Sequence, residues 1–237
     1  NLSKFEKKLG SKFWPGPLTI ILKKKKNSKI SNLVSNKSNL VGCRIPSNKL
    51  ANKLITLLDM PIAAPSANLS ERTSVTNIID IDPILEKKIF VLKDKQSTLG
   101  LESTVVKIDN KNRIEVLRYG SITVEDLKKF AKVKIKKKSS ISPGNLKKHY
   151  STLKPIRMNA KKILKDEGLL NFGSNKLRSN IINLNLSNKK NLNEAAKNFY
   201  HYLHKLDQSR CKKIAVVEIP NKGLGKTIND RLRRAIK

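Results

Sequence analysis

Two kinds of hydrophobic spacing alternate along these 237 residues, and the alternation predicts an α/β fold. Short runs such as Thr19–Leu22 and Lys213–Ile219 read as strands. Stripes such as Leu50, Ala51, Leu54, Ile55 and Leu58 read as helix faces. A third observation divides the chain. Residues 134–154 are charged, rich in turn residues and without periodicity, so they read as a linker between domains at 1–133 and 155–237.

Leu2, Phe5, Leu9 and Phe13 recur at helical spacing, and Trp14-Pro-Gly-Pro17 forces a turn after them. Leu40–Pro46 is a second short strand, ended by its proline. Residues 49–58 follow as a helix. Thr76–Leu85 reads as short and mixed, and Ile89–Leu92 and Leu101–Ile108 as strands. Ile114–Leu117 is a return strand. Thr123 caps a helix to Phe130, with Asp126 three residues on. Beyond the linker, Ile181–Leu186 and Lys213–Ile219 are strands. Leu192, Ala195, Ala196, Phe199, Leu203 and Leu206 mark one helix, and Ile228 onward is a basic helix.

The net charge of +33 invites a nucleic-acid reading. Of the 51 basic residues, however, 41 are Lys, spread over the whole chain. Lys, Asn and Ile are favoured by AT-rich coding, so the charge reads as a lysine-coated surface. Weak, salt-sensitive affinity for RNA follows from it regardless. No apolar run approaches the 18 residues of a membrane span, and the charged start shows no secretory signal. Two distant cysteines, Cys43 and Cys211, fit a reducing cytosol and neither a disulfide framework nor a zinc site.

The segment Pro61-Ile-Ala-Ala-Pro-Ser-Ala-Asn-Leu-Ser70 is too proline-rich for a helix and too small-sided for a core strand. Its alanines let a ligand approach the backbone, and in an extended chain Ser66 and Asn68 share a face. It is either a ligand wall or a structural connector. Arg44 ends a strand and suits a carboxylate or phosphate; a surface arginine snorkelling off the strand end fits equally. Ser103 and Thr104 place hydroxyls at a strand mouth. None of the three histidines lies in a nucleophile motif. His201 and His204 read as a solvated helix face, since no carboxylate or cysteine cluster accompanies them. Gly223-Leu-Gly-Lys-Thr227 imitates a phosphate loop, but Pro220 stands where the pattern needs glycine.

Several segments together resemble the YrdC-like threonylcarbamoyl-AMP synthases, in their long two-domain form. They are Phe13–Thr19, Val41–Pro46, Pro61–Ser70, Ser74–Thr76, Gly100–Val106, Leu117-Arg118, Ser142-Pro-Gly with His149-Tyr150, and Gly223–Ala235. The resemblance implies a twisted, open mixed sheet, a small Rossmann-like C-terminal domain and a linker folding over the active site. It implies condensation of L-threonine, bicarbonate and ATP into threonylcarbamoyl-AMP and pyrophosphate, for threonylcarbamoyladenosine in tRNA. It further implies that Arg44, Ser66, Ser103 and Thr104 bind threonine, with Ser66 and Asn68 at the reacting centre. Leu40, Asn68, Ser74, Arg118 and Tyr150 would contact ATP, and Mg2+ would arrive with the nucleotide. By the same resemblance, Arg44→Ala costs roughly 2–5 kcal/mol of threonine binding, the scale for a stranded buried charge.

Against the family pattern, an N-terminal part with a phosphate-gripping Lys-x-Arg pair has no counterpart, so the chain is expected to be N-terminally incomplete. Leu40 replaces a frequent Thr, and Asn145–Lys148 lacks an aromatic. The competing reading is a non-catalytic RNA-binding or ribosome-associated module. A hydrogenase-maturation role would need zinc fingers, which two cysteines cannot supply.

Overall fold

A computed structural model describes residues 2–92, 97, 99–136 and 150–236. The Ser142-Pro-Gly motif and His149 lie outside the described residues. The chain forms two compact units, Asn1–Pro65 with Glu102–Asn145, and Ser66–Leu101 with Leu146–Lys237.

The first unit opens with helix α1 (Lys4–Phe13), whose start is fixed by a reciprocal capping box between Ser3 and Glu6. Its sheet uses β1 (Leu18–Lys23), β2 (Leu40–Cys43), β3 (Thr104–Ile108), β4 (Ile114–Arg118) and β5 (Val133–Ile135), in the order β2-β1-β3-β4-β5. β1 runs antiparallel to β2 and parallel to β3, so the sheet is mixed. Strand alternation then sorts the side chains. Leu18, Ile20, Val106, Ile114 and Val116 fill one core with Leu9 of α1 and Leu127 of α4 (Val124–Lys128). Ile21, Val105 and Leu117 form a thinner cluster against Leu40. Thr123 caps α4 through the amide of Asp126, as its spacing predicts. β5 reaches two residues into the run expected to be linker, because Glu115 and Val116 offer it a parallel ladder.

Helix α2 (Lys49–Leu58) has the predicted bounds and an Asn48 cap, but buries none of its residues. Its apolar stripe is only partly covered among the described residues, with Leu50, Leu54 and Leu58 at 38%, 39% and 48% exposure.

The second unit carries a parallel sheet in the order β6-β9-β7-β8, from β6 (Ile156–Arg157), β7 (Glu167–Asn171), β8 (Asn183–Asn185) and β9 (Lys213–Val216). Helices α5 (Leu192–Gln208) and α6 (Leu224–Ala235) bury Phe199, Leu203, Leu206, Ile228 and Leu232 with Leu169, Leu170, Ile214 and Val216. Gly225 sits so close to the Pro220 carbonyl that no Cβ would fit. The glycine of the imitation phosphate loop therefore serves packing, beside a fully buried Thr227. Segment 66–101 adds a short 3-10 turn at Ile78–Asp80 and α3 (Pro83–Glu86). The expected strand at Ile89–Leu92 is absent: no backbone ladder forms there and Phe90 stands exposed.

Glu167 is the charged residue that the second core depends on. Its buried carboxylate accepts from Arg157 Nε at 2.7 Å, Arg157 Nη2 at 2.6 Å and the Leu164 amide at 2.9 Å. The Arg157 hydrogen bonds hold it below the ordinary carboxylate range against the opposing pull of burial. A carboxyl depressed on folding stabilises the fold above its unfolded value and loses that contribution as the pH falls through its folded value. Glu167→Gln is expected to cost ~1–3 kcal/mol at neutral pH, since hydrogen bonds to a charged group are lost while Arg157 returns to water. Urea melts from pH 7 downward should show the wild-type advantage shrinking below about pH 4.3, the ordinary glutamate value. A pH-independent difference would remove the charge from this account.

Candidate functional site

The residues of interest on the first unit gather at one end of its sheet. Ile20 pairs with Cys43, which sets Thr19 beside Arg44 one residue further on. Thr19 pairs with Val105, and Val105 with Arg118. One row across four strands thus runs Arg44, Thr19, Val105, Arg118. Ser103 lies at the mouth of β3, and its hydroxyl is 2.7 Å from Thr19 Oγ1. Arg118 donates to the Ser103 carbonyl from Nη2 at 2.8 Å and Nε at 3.2 Å, and to its hydroxyl at 3.0 Å. Gly120 makes this closeness possible. A Cβ there would collide with the backbone of Glu102, Ser103 and Thr104.

Arg44 makes no hydrogen bond or ion pair among the described residues. Partial burial, and then the Arg118 charge, hold its guanidinium below the ordinary arginine range. The two positive charges are close enough for Arg118 to act on Arg44, so they repel. A small anion between them would relieve that repulsion and satisfy the donors of Arg44. Leu40 packs on the thin cluster, three strand positions before Cys43.

Two of the sequence-expected residues are engaged by neighbouring backbone. Thr104 is 1% exposed. Its hydroxyl donates to the Ile122 carbonyl at 2.7 Å and accepts from the Ile122 amide at 2.9 Å. It ties the 122 loop to β3 and presents nothing to a ligand. Asn68 does not share an extended face with Ser66, because the chain bends at residues 67–68. Its amide nitrogen donates to the carbonyls of Leu69 at 2.8 Å and Arg72 at 3.2 Å, closing its own turn. Its Oδ1 is buried without a partner among the described residues. Ser66 is exposed.

Ser66, Asn68, Ser74 and Tyr150 belong to the second unit. Arg72 bridges to Ser151 there, and the Ser151 amide donates to Glu71 at 2.8 Å. Tyr150 is 2% exposed, packed on Tyr200 and beneath the Arg231 guanidinium at 4.7 Å. Its ring packs into the core of this unit. The histidine pair was misread. His201 bonds Asp80, and His204 bonds Thr73 and the Ser74 carbonyl, so this helix face is not solvated.

A family model covering Sua5, YciO and YrdC, described as "Telomere recombination", matches residues 1–120. The chain belongs to this family. A second model, "Threonylcarbamoyl-AMP synthase, C-terminal domain", matches residues 122–236. The threonylcarbamoyl-AMP synthase of Pyrococcus abyssi is 27% identical over 96% of this chain and 72% of its own length. That of Bacillus subtilis is 35% identical over 63% of this chain, and that of Schizosaccharomyces pombe 35% over 59%. The chain spans 45% and 38% of those two relatives. The crystal structure of P. abyssi Sua5 complexed with L-threonine superposes with a TM-score of 0.86 at 25% identity, over 99% of this chain and 74% of that one. The two-domain α/β architecture of the family is therefore present here.

Among the described residues, no group of three or more His, Cys, Asp or Glu could hold a metal ion, and no helix is long and apolar enough to cross a membrane. Both cysteines are free thiols.

Because Arg44 is open to solvent, its removal strands no buried partner. Arg44→Ala should weaken threonine binding by ~1.5–3 kcal/mol, the scale of hydrogen bonds to a charged group, which lies below the sequence-based figure. Titration calorimetry with L-threonine measures it. An unchanged dissociation constant would take Arg44 out of the site.

Proposed function

We propose that this chain carries the threonylcarbamoyl-AMP synthase reaction, an adenylyl transfer. L-threonine, bicarbonate and ATP yield threonylcarbamoyl-AMP, pyrophosphate and water. The observation that carries the reading is Arg44, without a hydrogen-bond or ion-pair partner among the described residues and within reach of the Arg118 charge, in a chain of this family. Further support comes from the Pyrococcus relative of that name, and from its homologue solved with L-threonine.

The chemistry needs no protein nucleophile. The threonine amine takes up CO2 to form a carbamate, releasing the amine proton. A carbamate oxygen attacks the α-phosphorus of ATP, an O–P bond forms, and the α–β bridging O–P bond breaks to release pyrophosphate. Two anions must meet, so the protein's part is orientation and positive charge held where negative charge develops. In this proposal Arg44 holds the threonine carboxylate by a two-pronged contact. The Ser103 hydroxyl, fixed between Thr19 and Arg118, lines the threonine side. Arg118 faces the nucleotide, and the Leu40 backbone contacts it. On the second unit, Ser66 offers a hydroxyl to the reacting centre, and Ser74 serves the nucleotide. Asn68 shapes the turn after Ser66 with its amide nitrogen and keeps Oδ1 for the substrate. Tyr150 anchors the chain that follows the linker.

Magnesium would arrive bound to the ATP phosphates, neutralising charge on the leaving pyrophosphate. The product would pass in the cytosol to the enzymes that transfer threonylcarbamoyl to tRNA. The lysine-rich surface would give only weak, salt-sensitive contact with that RNA.

The test is release of pyrophosphate from ATP by the purified chain, with each substrate left out in turn. Release should require both threonine and bicarbonate. Release that ignores threonine, or none under any condition, would contradict the proposal.

A further inference from the structure

Segment 73–80 carries Ser74 and is held to the core of the second unit by two histidines of α5. Helix α5 is a rigid anchor, since Phe199, Tyr200, Leu203 and Leu206 are buried along it. His201 and His204 project from it one turn apart, toward the segment rather than toward water. His201 Nδ1 lies 2.9 and 3.2 Å from the two carboxylate oxygens of Asp80. The side chains are 12% and 5% exposed, so the contact is nearly dry. His204 Nε2 lies 3.1 Å from Thr73 Oγ1 and 3.3 Å from the Ser74 carbonyl. A carbonyl only accepts, so Nε2 carries the proton and donates it. Thr73 is itself buried beneath this contact.

These contacts are specific in a way that packing alone is not. His204 fixes the backbone of the residue assigned to the nucleotide. His201 fixes the far end of the same segment, where Asn77 caps the 3-10 turn that ends at Asp80. Between the two clasps, the Thr76 carbonyl accepts from the Ser97 amide at 3.0 Å. The segment is thus tied at both ends by side chains whose geometry can be imitated.

We propose that His204 and His201 are positioning residues for nucleotide binding. They form a two-point clasp that holds Ser74 where it meets ATP. The proposal rests on the assignment of Ser74 to the nucleotide. Thr73 Oγ1 lies within 3.5 Å of both His204 ring nitrogens, but the Ser74 carbonyl meets Nε2 of His204 while Asp80 meets Nδ1 of His201, and that distinction makes the clasp testable. The amide nitrogen of glutamine stands near the place of imidazole Nε2, and that of asparagine near Nδ1. His204→Gln should therefore preserve the clasp and His204→Asn should break it. At position 201 the order should reverse, with His201→Asn preserving and His201→Gln breaking.

The experiment measures the ATP dissociation constant of the full chain by titration calorimetry, which needs no turnover. The same variants are assayed for pyrophosphate release to separate KM from kcat. His204→Ala and His204→Asn should weaken ATP about tenfold, the scale of one lost hydrogen bond with its reorganisation, while His204→Gln stays within about twofold of wild type. The KM for threonine should not move, and kcat at saturating ATP should be retained. Wild-type ATP affinity in His204→Ala would overturn the clasp. So would equal behaviour of the Gln and Asn variants at both positions, or a loss spread evenly over ATP, threonine and kcat. If His204→Ala does not fold, the Gln and Asn pair, similar in size and polarity, decides alone. Ser74→Ala separates the two ideas. Undiminished ATP affinity in that variant removes the nucleotide assignment of Ser74, and the clasp's role with it. A weakened Ser74→Ala beside unaffected histidine variants removes the clasp alone.

Discussion

The strand register that brings Arg44 and Arg118 to one end of a sheet is the constraint on which the first unit's site depends. Two guanidinium groups are brought to one end of a sheet, and Arg44 meets no protein partner among the described residues. Such an arrangement persists only because the strands determine it. The β1–β2 register fixes Arg44, and the β3–β4 register fixes Arg118. Ser103 then takes up part of Arg118 with its carbonyl and hydroxyl, which aims the guanidinium and leaves its charge in place. Gly120 is the steric condition for that contact. A folding cost of this kind is expected where a protein must receive an anion.

The second unit shows the complementary strategy. Its charges are paired inside the fold: Glu167 with Arg157, Asp80 with His201, and Arg231 with Asp230 beneath the Tyr150 ring. Breaking any of these leaves a polar group in a dry place, so they fix geometry more than they add net stability. The segment after Pro65 belongs to this unit, and the histidines of α5 hold it there. Ser74, proposed to serve the nucleotide, is thereby held by a parallel-sheet core.

Much of the fold was legible in the sequence where local pattern and final environment agree. Helix α2 has its predicted bounds because Asn48 caps a strong apolar stripe, although that stripe turned out to be only partly covered. Strand β7 escaped notice because Glu-Gly-Leu-Leu-Asn carries no alternation. Only tertiary structure supplies the arginine that lets Glu167 lie buried in it. Ile89–Leu92 misled in the opposite sense: a strand-like run has no strand without a ladder partner. The site was half legible. Arg44, Ser103 and Arg118 announced themselves by residue type at strand ends, and the structure brings them together. The backbone bonds of Thr104 and Asn68 were not legible, because a hydroxyl or an amide in a sequence does not show whether the backbone has already claimed it. The histidine clasp was invisible because both partners lie more than 120 residues away.

The central claim is that Arg44 waits for a carboxylate. Its most direct test is a comparison by titration calorimetry of L-threonine with L-threoninol, which keeps the amine and the side-chain hydroxyl but carries a hydroxymethyl group in place of the carboxylate. The account predicts binding of L-threonine and a loss of at least about tenfold for L-threoninol, the scale of a charge-assisted contact. Equal affinity for the two would contradict it.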